Sequence, residues 1–509
     1  MKEYILGCFI ISCASYCEAQ QEGTLLWSFE ASNRMACVAS ISDVNGNGIA
    51  DVLAGKFFDT LYCFDGGSKD TATIIWKFAM GWNDDFVDVT PIPDVNNDGI
   101  EDVVTGCTGG NHSYCLDGQN GNIIWWFSEP VWTYTFVEPI GDVNGDGICD
   151  VILGLRSPHK IYCIDGASID TANVLWEFPV AGCLRSKYSI SSLNDIDGDS
   201  VSDKQPESWA YCLSGRDGDT LWLYDVPEAI AQCVSPIEDV NNNGTQDVLV
   251  GTQGLDAKVY CLEGNNGDII WESDTSGDKM RVIAISDING DGKQEVIADA
   301  SDYGGNDYSI LCIDGNTGNV LWNCPTFWIP NHLDVISDVD GDSIPDIVAG
   351  TWGGFVYCLS AKAGSVIWRY HGPDTSVFAD IMGLTGITDV NGDGFDDVAG
   401  VTYNRKAWCL SGKSYVGVEE SEELRVKSLE LRVSQNPFIK ATEIRGWGLG
   451  VSEKQEVKIY DIAGKMVQTI PISAQQSQMP IGQDLAPGVY FVRVKGYEPL
   501  KIIKIGRVR

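Results

Sequence analysis

The stretch DVNGDGICDVILG, residues 142–154, places Asp142, Asn144, Asp146 and Asp150 within nine positions and then becomes an apolar, β-branched run. Seven further copies follow the pattern Asp-x-Asn/Asp-x-Asn/Asp-Gly/Ser-x-x-Asp/Glu, beginning at Asp43, Asp94, Asp195, Asp239, Asp287, Asp338 and Asp389. Self-similarity at a fixed step is the mark of a repeat architecture, in which each unit buries its apolar face only against its neighbours.

Two other series keep the same step of about 50 residues. An aromatic-Cys element places Cys63, Cys115, Cys163, Cys212, Cys261, Cys312, Cys358 and Cys409. A Trp strand places Trp27, Trp76, Trp125, Trp176, Trp222, Trp271, Trp322 and Trp368. Within one unit the order is strand (MRVIAIS), acidic loop, strand (QEVIAD), loop, strand (YSILCID), a Gly-containing turn and strand (NVLW), with no helical period. Such a four-stranded antiparallel meander leaves an apolar face uncovered, and a radial array of meanders covers it while protecting strand edges.

The expected fold is therefore all-β: an eight-bladed β-propeller of four-stranded antiparallel blades, followed by a small β-sandwich. The first Trp strand, GTLLWSF, precedes every acidic loop, and the last unit, ending AWCLSGKS, lacks one. The N-terminal strand is thus expected to close the last blade. One unit reads KQPESWAYC after Asp203 in place of an apolar strand. Its Pro206 cannot donate to a central ladder, which predicts a stunted hairpin there.

The YCLDG and NG-x-IIW elements resemble the blade repeat of quinoprotein-like propellers such as pyrroloquinoline quinone dehydrogenases. The DVNGDG-x-x-DVLVG element resembles the calcium loops of FG-GAP repeats in integrin α-subunit propellers. Together the two resemblances span roughly residues 24 to 412 and imply architecture more firmly than activity. The adjacent Cys-Cys pair of the quinone site is absent, as is a full Phe-Gly and Gly-Ala-Pro set.

The loop chemistry follows from the ion. Calcium takes six to eight oxygens at roughly 2.3–2.6 Å, and side chains at loop positions 1, 3 and 5 converge, with a carbonyl at position 7 and a carboxylate at position 9. The candidate ligands are Asp43, Asn45, Asn47 and Asp51; Asp94, Asn96, Asp98 and Asp102; Asp142, Asn144, Asp146 and Asp150; Asp195, Asp197, Asp199 and Asp203. They continue with Asp239, Asn241, Asn243 and Asp247; Asp287, Asn289, Asp291 and Glu295; Asp338, Asp340, Asp342 and Asp346; Asp389, Asn391, Asp393 and Asp397. An EF-hand would need Glu at position 12, where the loop at Asp142 has Leu153. Up to eight Ca²⁺ are expected, strongest where carboxylates are most numerous, at Asp338 and Asp195. In those two loops Ser343 and Ser200 stand at the glycine position, at a cost on the order of 1 kcal/mol if the left-handed conformation is kept. Asp-Asn-Gly turns also form hairpins without metal, so a single copy would carry little weight.

Acidic residues number 72 against 34 basic ones, a formal charge of −38, which excludes nucleic acid and anionic lipid as partners and favours bound cations. The repeated cysteines are expected as small buried residues, although Cys107 and Cys115 flank one hairpin and could bridge; the tryptophans are expected to pack between blades. The histidines, His112, His159, His332 and His371, are scattered without metal spacing, and no nucleophile elbow or phosphate loop occurs, so no catalytic residue is assigned. Trp82, Asp84, Asp85, Trp132, Tyr134, Arg185, Lys187, Trp328 and His332 are candidates for lining a face or channel.

At the N-terminus, Lys2, an apolar run from Tyr4 to about Ala14, and Cys17 with Ala19 before a cleavage point fit a signal peptide over residues 1–19. The sites for a lipoprotein, Cys8 and Cys13, are poor, and no other run reaches the roughly 18 apolar residues of a membrane helix. The propeller is assigned to 20–413, an acidic linker to 414–430 and an immunoglobulin-like sandwich to 431–509. This last segment resembles the type A sorting domain of the type IX secretion route at Asn436-Pro437-Phe438, Tyr460-Asp461, Gly464-Lys465, Gly488-Val489-Tyr490 and Lys501-Ile502-Ile503. A plain stalk of similar sandwich fold is the alternative.

The expected protein is a secreted or cell-surface monomer, a calcium-binding propeller acting as a binding or adhesion module for an extracellular protein or glycan and handled by the secretion machinery through its C-terminal domain. The alternative is an extracellular calcium-dependent enzyme on polysaccharide, lyase-like, and less so a quinoprotein dehydrogenase. A basic cluster with Tyr or His in one deep pocket favours the lyase; a shallow aromatic face favours binding.

Overall fold

A computed structural model describes residues 21–413 except for short loop segments (81–84, 110–111, 130–132, 181–183, 185–186, 199–203, 207–209, 227–228, 255–256, 274, 276, 279–280, 302–307 and 372–379), and beyond them the strands of a C-terminal unit. The stretches read as a signal peptide, 1–19, and an acidic linker, 414–430, fall outside the described residues. The chain divides into two compact units, Met1–Val416 and Gly417–Arg509.

The first unit is a β-propeller. Its second and third strands, such as Asp51–Lys56 and Thr60–Phe64, are buried throughout, its outer strands, such as Ile74–Ala79, mix exposed with buried residues, and successive strands pair antiparallel. In one blade Met35–Ile41, Asp51–Lys56, Thr60–Phe64 and Ile74–Ala79 follow in sequence from the axis outward. The innermost strands of the others are Asp85–Ile92, Thr135–Ile140, Ala229–Ile237, Val282–Ile285, Pro330–Ile336 and Ile381–Ile387. Each inner strand touches the next, except that Thr135–Ile140 and Ala229–Ile237 are joined through the short strand Ile190–Ser192, and Ile381–Ile387 returns to Met35–Ile41, so the ring is closed.

Seven full blades are seen, which corrects the expectation of eight with one of them stunted. The sheet between Thr135–Ile140 and Ala229–Ile237 is stunted: Ile190–Ser192 and Lys204–Pro206 are three residues each, and Lys204–Pro206 meets Ala210–Leu213 through the single pair Lys204 and Leu213. The physical reason is the sequence KQPES, which offers neither apolar side chains for the blade interface nor, at Pro206, a backbone donor.

The N-terminal strand Thr24–Glu30 pairs antiparallel with Lys406–Ser411, Thr24 opposite Ser411 and Glu30 opposite Lys406. The outer strand of the last blade is therefore the first regular strand of the chain, and the two edges that fraying would expose are joined. Two-residue strands add further latches. Asp70–Thr71 runs parallel to Thr24–Glu30, and Asp170–Thr171 parallel to Ile123–Ser128.

The core lies between neighbouring sheets rather than at the axis. Trp27, Val52, Ala54, Phe64, Ala399 and Cys409 form one such cluster across the closure. Every Trp of the repeat bridges two sheets by donating its indole N–H to a carbonyl of the following one: Trp27 to Gly66 (3.0 Å), Trp76 to Gly118 (2.8 Å), Trp125 to Gly166 (3.1 Å), Trp176 to Gly215 (2.8 Å) and Trp222 to Gly264 (2.6 Å). Trp271, Trp322 and Trp368 do the same to Gly315, Ala361 and Gly412. The ring needs a partner without a side chain: a Cβ on Gly121, at φ +74°, would sit 2.7 Å from Cε3 of Trp76. The repeated cysteines are buried mid-strand, and Cys115 is a thiol, so no Cys107–Cys115 bridge forms.

The second unit holds a three-stranded sheet ordered Arg432–Val433, Thr442–Arg445, Gln478–Ile481. A second, four-stranded sheet is ordered Met466–Ile472, Gln455–Asp461, Gly488–Val494, Leu500–Lys504.

Candidate metal loops and the opposite face

Each acidic loop joins the inner strand of a blade to the second strand, and the Gly turn between third and fourth strands lies at the same end. The position-1 carboxylate organises the turn. Asp43 accepts the amides of Gly46 (2.7 Å), Asn47 (3.1 Å) and Gly48 (2.6 Å), and Asp142 those of Gly145, Asp146 and Gly147. Asp338 and Asp389 repeat the triad; Asp94, Asp239 and Asp287 take two such amides, and Asp195 takes that of Gly198.

Position 3 then accepts from the amide of position 5, as Asn45, Asn96, Asn144, Asn241, Asn289, Asp340 and Asn391 do. Position 5 accepts from position 7: Asn47 from Ile49, Asp98 from Ile100, Asp146 from Ile148, Asn243 from Thr245, Asp291 from Lys293, Asp342 from Ile344 and Asp393 from Phe395. These bonds coil the chain tightly and gather the oxygens of the loop, with left-handed residues at Gly48, Gly147 and Gly292. Ser343 keeps that conformation at φ +73°, as its place in the pattern requires.

Position 9 is different. Asp51, Asp102, Asp150, Asp247, Asp346 and Asp397 are buried at the root of the second strand, and Glu295 occupies the same place. One oxygen takes the amide of position 2 (Val44 to Asp51, Val95 to Asp102, Val143 to Asp150, Val240 to Asp247) and the other the amide of the turn glycine (Gly66, Gly118, Gly166, Gly264). That glycine is the one whose carbonyl holds the Trp of the preceding sheet.

The two ends of the loop titrate in opposite directions. Backbone donors, Gly48 first for Asp43, Gly147 for Asp142 and Gly292 for Asp287, hold these carboxyls below the usual range. At Asp338 burial opposes, but the amides of Ser343, Gly341, Asp342 and Asp340 prevail. Burial pushes Asp51, Asp102 and Asp150 up to about 6, and Glu295, Asp346 and Asp397 to about 7, against their backbone donors.

Among the described residues, two loops bring three carboxylates together with one oxygen of each within 4.8 Å of the others: Asp287, Asp291 and Glu295, and Asp338, Asp340 and Asp346. That span matches oxygens on opposite sides of a calcium ion at roughly 2.3–2.6 Å. In the first of them Oε1 of Glu295 is buried without a hydrogen-bond donor, the kind of oxygen a cation satisfies. The donor set is all oxygen and anionic, which suits a hard cation. Asp197 lies in the loop at Asp195, but its Asp199 and Asp203 fall outside the described residues.

The sequence pattern missed a further acidic position. The turn after the Cys strand carries Asp65, Glu263 and Asp314, whose carboxylates accept from Asn47 (2.9 Å), Asn243 (2.6 Å) and Asn289 (3.3 Å). The repeated Asp-Gly or Glu-Gly after the Cys was the available signal.

At the other end of the strands stand the loops between blades and between second and third strands. Trp82, Asp84, Trp132 and Arg185 fall outside the described residues. Asp85 accepts the amide of Phe58 (2.7 Å). Among the described residues this face also stacks arginines on aromatic rings: Arg34 on Phe57 and Tyr403, Arg156 on Tyr134, Arg369 on Phe327 and Phe355, and Arg281 on Tyr188. Tyr134, Phe327, Trp328 and Tyr403 are exposed. His332, on an inner strand, lies 2.9 Å through Nδ1 from the Tyr188 hydroxyl; sequence reasoning named His332 and Lys187 but not Tyr188 or Arg281. His112 packs on Tyr114 and Trp126 and His371 on Phe355, as ordinary turn and surface residues do.

Residues 160–370 match the family model described as outer membrane protein assembly factor BamB, and residues 436–505 match that of the secretion system C-terminal sorting domain. No curated protein matches the chain. Among solved structures it is similar to Sqt1 of Saccharomyces cerevisiae, at 12% identity and a TM-score of 0.61 over 77% of this chain and 100% of that one. It is also similar to BamB of Moraxella catarrhalis, at 14% identity and a TM-score of 0.51 over 76% and 99%. These likenesses carry the propeller fold alone. The sorting domain adds a destination: export by type IX secretion, to the cell surface or the surroundings.

Proposed function

We propose that this protein is a secreted or surface-held propeller that binds calcium through FG-GAP-like loops and serves as a binding or adhesion module for an extracellular glycan or protein. The observation that carries the reading is the convergence of Asp287, Asp291 and Glu295, and of Asp338, Asp340 and Asp346, on points of calcium-site dimensions, in a chain with formal charge −38. The adhesive surface is the opposite face, whose exposed aromatics and stacked arginines suit sugar rings and their acidic groups.

A second reading, a calcium-dependent lyase on polysaccharide, is favoured by the Tyr188–His332 hydrogen bond next to Arg281. One experiment separates the readings: a glycan array with and without calcium, alongside absorbance of unsaturated products. Calcium-dependent retention without product supports the module; product formation supports the lyase; neither retention nor product overturns both.

A further inference from the structure

The ring encloses an axial cavity of about 250 Å³, lined by five consecutive inner strands through Thr90, Glu138, Ser191, Ser235 and Ile283, with Tyr188 and Arg281 beside them. Its size is slightly below the roughly 300 Å³ at which pockets for drug-sized ligands begin, which suits one sugar ring and excludes a large cofactor. Three hydroxyls and a carboxylate offer donors and acceptors at several heights, the complement of a polyol.

Arg281 gives the cavity its selectivity. Its amide donates to Oδ1 of Asp299 (2.8 Å) and its carbonyl accepts from the Asp299 amide, which fixes the backbone. Its guanidinium carbon stands 3.3 Å from the centroid of the Tyr188 ring, and Tyr188 is itself tied to His332. The plane of the fork is thus set before any ligand arrives. Among the described residues the guanidinium has no carboxylate partner, and its Nε is buried without an acceptor. A pre-oriented guanidinium with an unmet buried donor takes a planar carboxylate.

The ligand's charge is limited by the other groups facing the cavity. Asp88 also lines it, but its oxygens accept the amides of Val89 (3.0 Å) and Val137 (3.0 Å), and Glu138 adds a second negative charge. Among the described residues the lining holds one guanidinium and two carboxylates, so a dianion such as phosphate meets about twice the repulsion that a singly charged carboxylate seated on Arg281 does.

We propose that the axial cavity binds a single uronate residue of an acidic polysaccharide, its carboxylate on Arg281 and its hydroxyls among Thr90, Glu138, Ser191 and Ser235. The proposal deepens the binding-module reading, on which it rests, by naming the ligand class.

The test is calorimetric titration of the full secreted chain with galacturonate, glucuronate, galactose, glucose and inorganic phosphate, repeated after metal removal so that any carboxylate bound at the acidic loops is recognised. Uronates are expected to bind at least about 10-fold more tightly than the neutral sugars and phosphate. Arg281→Met is expected to lose roughly 10–100-fold for uronates, with Arg281→Lys between the two. Ser235→Leu, which fills the cavity and leaves Arg281 in place, should abolish binding while the melting temperature and its response to calcium stay those of the wild type. This second variant keeps the test decisive if Arg281→Met fails to fold. Equal uronate binding by wild type and Arg281→Met, tighter binding of phosphate, or no binding up to ~20 mM ligand overturns the cavity site. If wild type is still retained on the glycan array in that case, the module reading stands; if it is not retained, both fall.

Discussion

Asp150 and Gly166 are joined by a 2.8 Å hydrogen bond from the glycine amide to the carboxylate, and the carbonyl of that same glycine holds the indole of Trp125 from the neighbouring sheet. The far end of an acidic loop is thereby wired to the contact between sheets. The arrangement recurs at Asp51, Gly66 and Trp27, and at Asp102, Gly118 and Trp76. A cation that stiffens the loop therefore stiffens the ring.

Metal removal should accordingly lower the melting temperature of the whole propeller rather than loosen loops alone. A ligand present at 100 times its Kd adds about 2.7 kcal/mol per site, so even two occupied sites should be plain by calorimetry. Asp338→Asn with Asp346→Asn should reduce the calcium-induced rise. An identical melt with calcium and after exhaustive chelation would count against bound metal.

The pH dependence of metal-free protein follows from the position-9 groups. Their folded pKa values, about 6 for Asp51, Asp102 and Asp150 and about 7 for Glu295, Asp346 and Asp397, lie above the unfolded carboxylate values. Their contribution is fully present below about pH 4 and is lost as pH rises through 6 to 7, because the folded state binds more protons in that window. The position-1 groups, shifted down, act at lower pH and with the opposite sign. Metal-free protein should thus resist urea better at pH 5 than at pH 7.5, and calcium should narrow the difference. A metal-free midpoint that rises steadily from pH 5 to 7.5 would contradict this.

Trp125→Phe tests the contact between sheets. It keeps most of the buried ring and removes the donor to Gly166, leaving a buried carbonyl unmet, for an expected loss of about 1–3 kcal/mol. Denaturant midpoints at constant m-value measure it; the exposed Trp126→Phe on the same strand should change little.

Gly121→Ala should destabilise for two reasons that add: a Cβ 2.7 Å from the Trp76 ring and a φ of +74°. A melt within a degree of wild type would mean that the turn relocates freely.

Burial raises the thiol pKa of Cys115, Cys261, Cys358 and Cys409 well above the ordinary value, and that of Cys324 to about 11. These thiols should resist alkylation in native protein and react promptly in denaturant. Mass mapping of the labelled cysteines decides it.

The repeat was legible because a propeller writes each blade in the chain at one step, so the loop, the Cys strand and the Trp strand could be aligned without coordinates. Closure by Thr24–Glu30 was legible as well, since a Trp strand stood before the first loop and none after the last. The stunted sheet was legible as a lesion at Pro206, but not its extent. The role of position 9 was not visible: Asp150 reads as a ligand like Asp142, and only the fold shows it buried and bonded to Val143 and Gly166.

What the sequence determined by itself was everything local and periodic: strand order, the coil of the acidic turns, the spacing that brings Trp to each following sheet, and the sorting segment at the end. Only the tertiary structure decided what meets across the ring. Tyr188, Arg281 and His332 lie far apart in the chain and share no motif, and they come together because inner strands from different blades converge on one axis. Periodicity records what each unit repeats, whereas the axis is where the units differ.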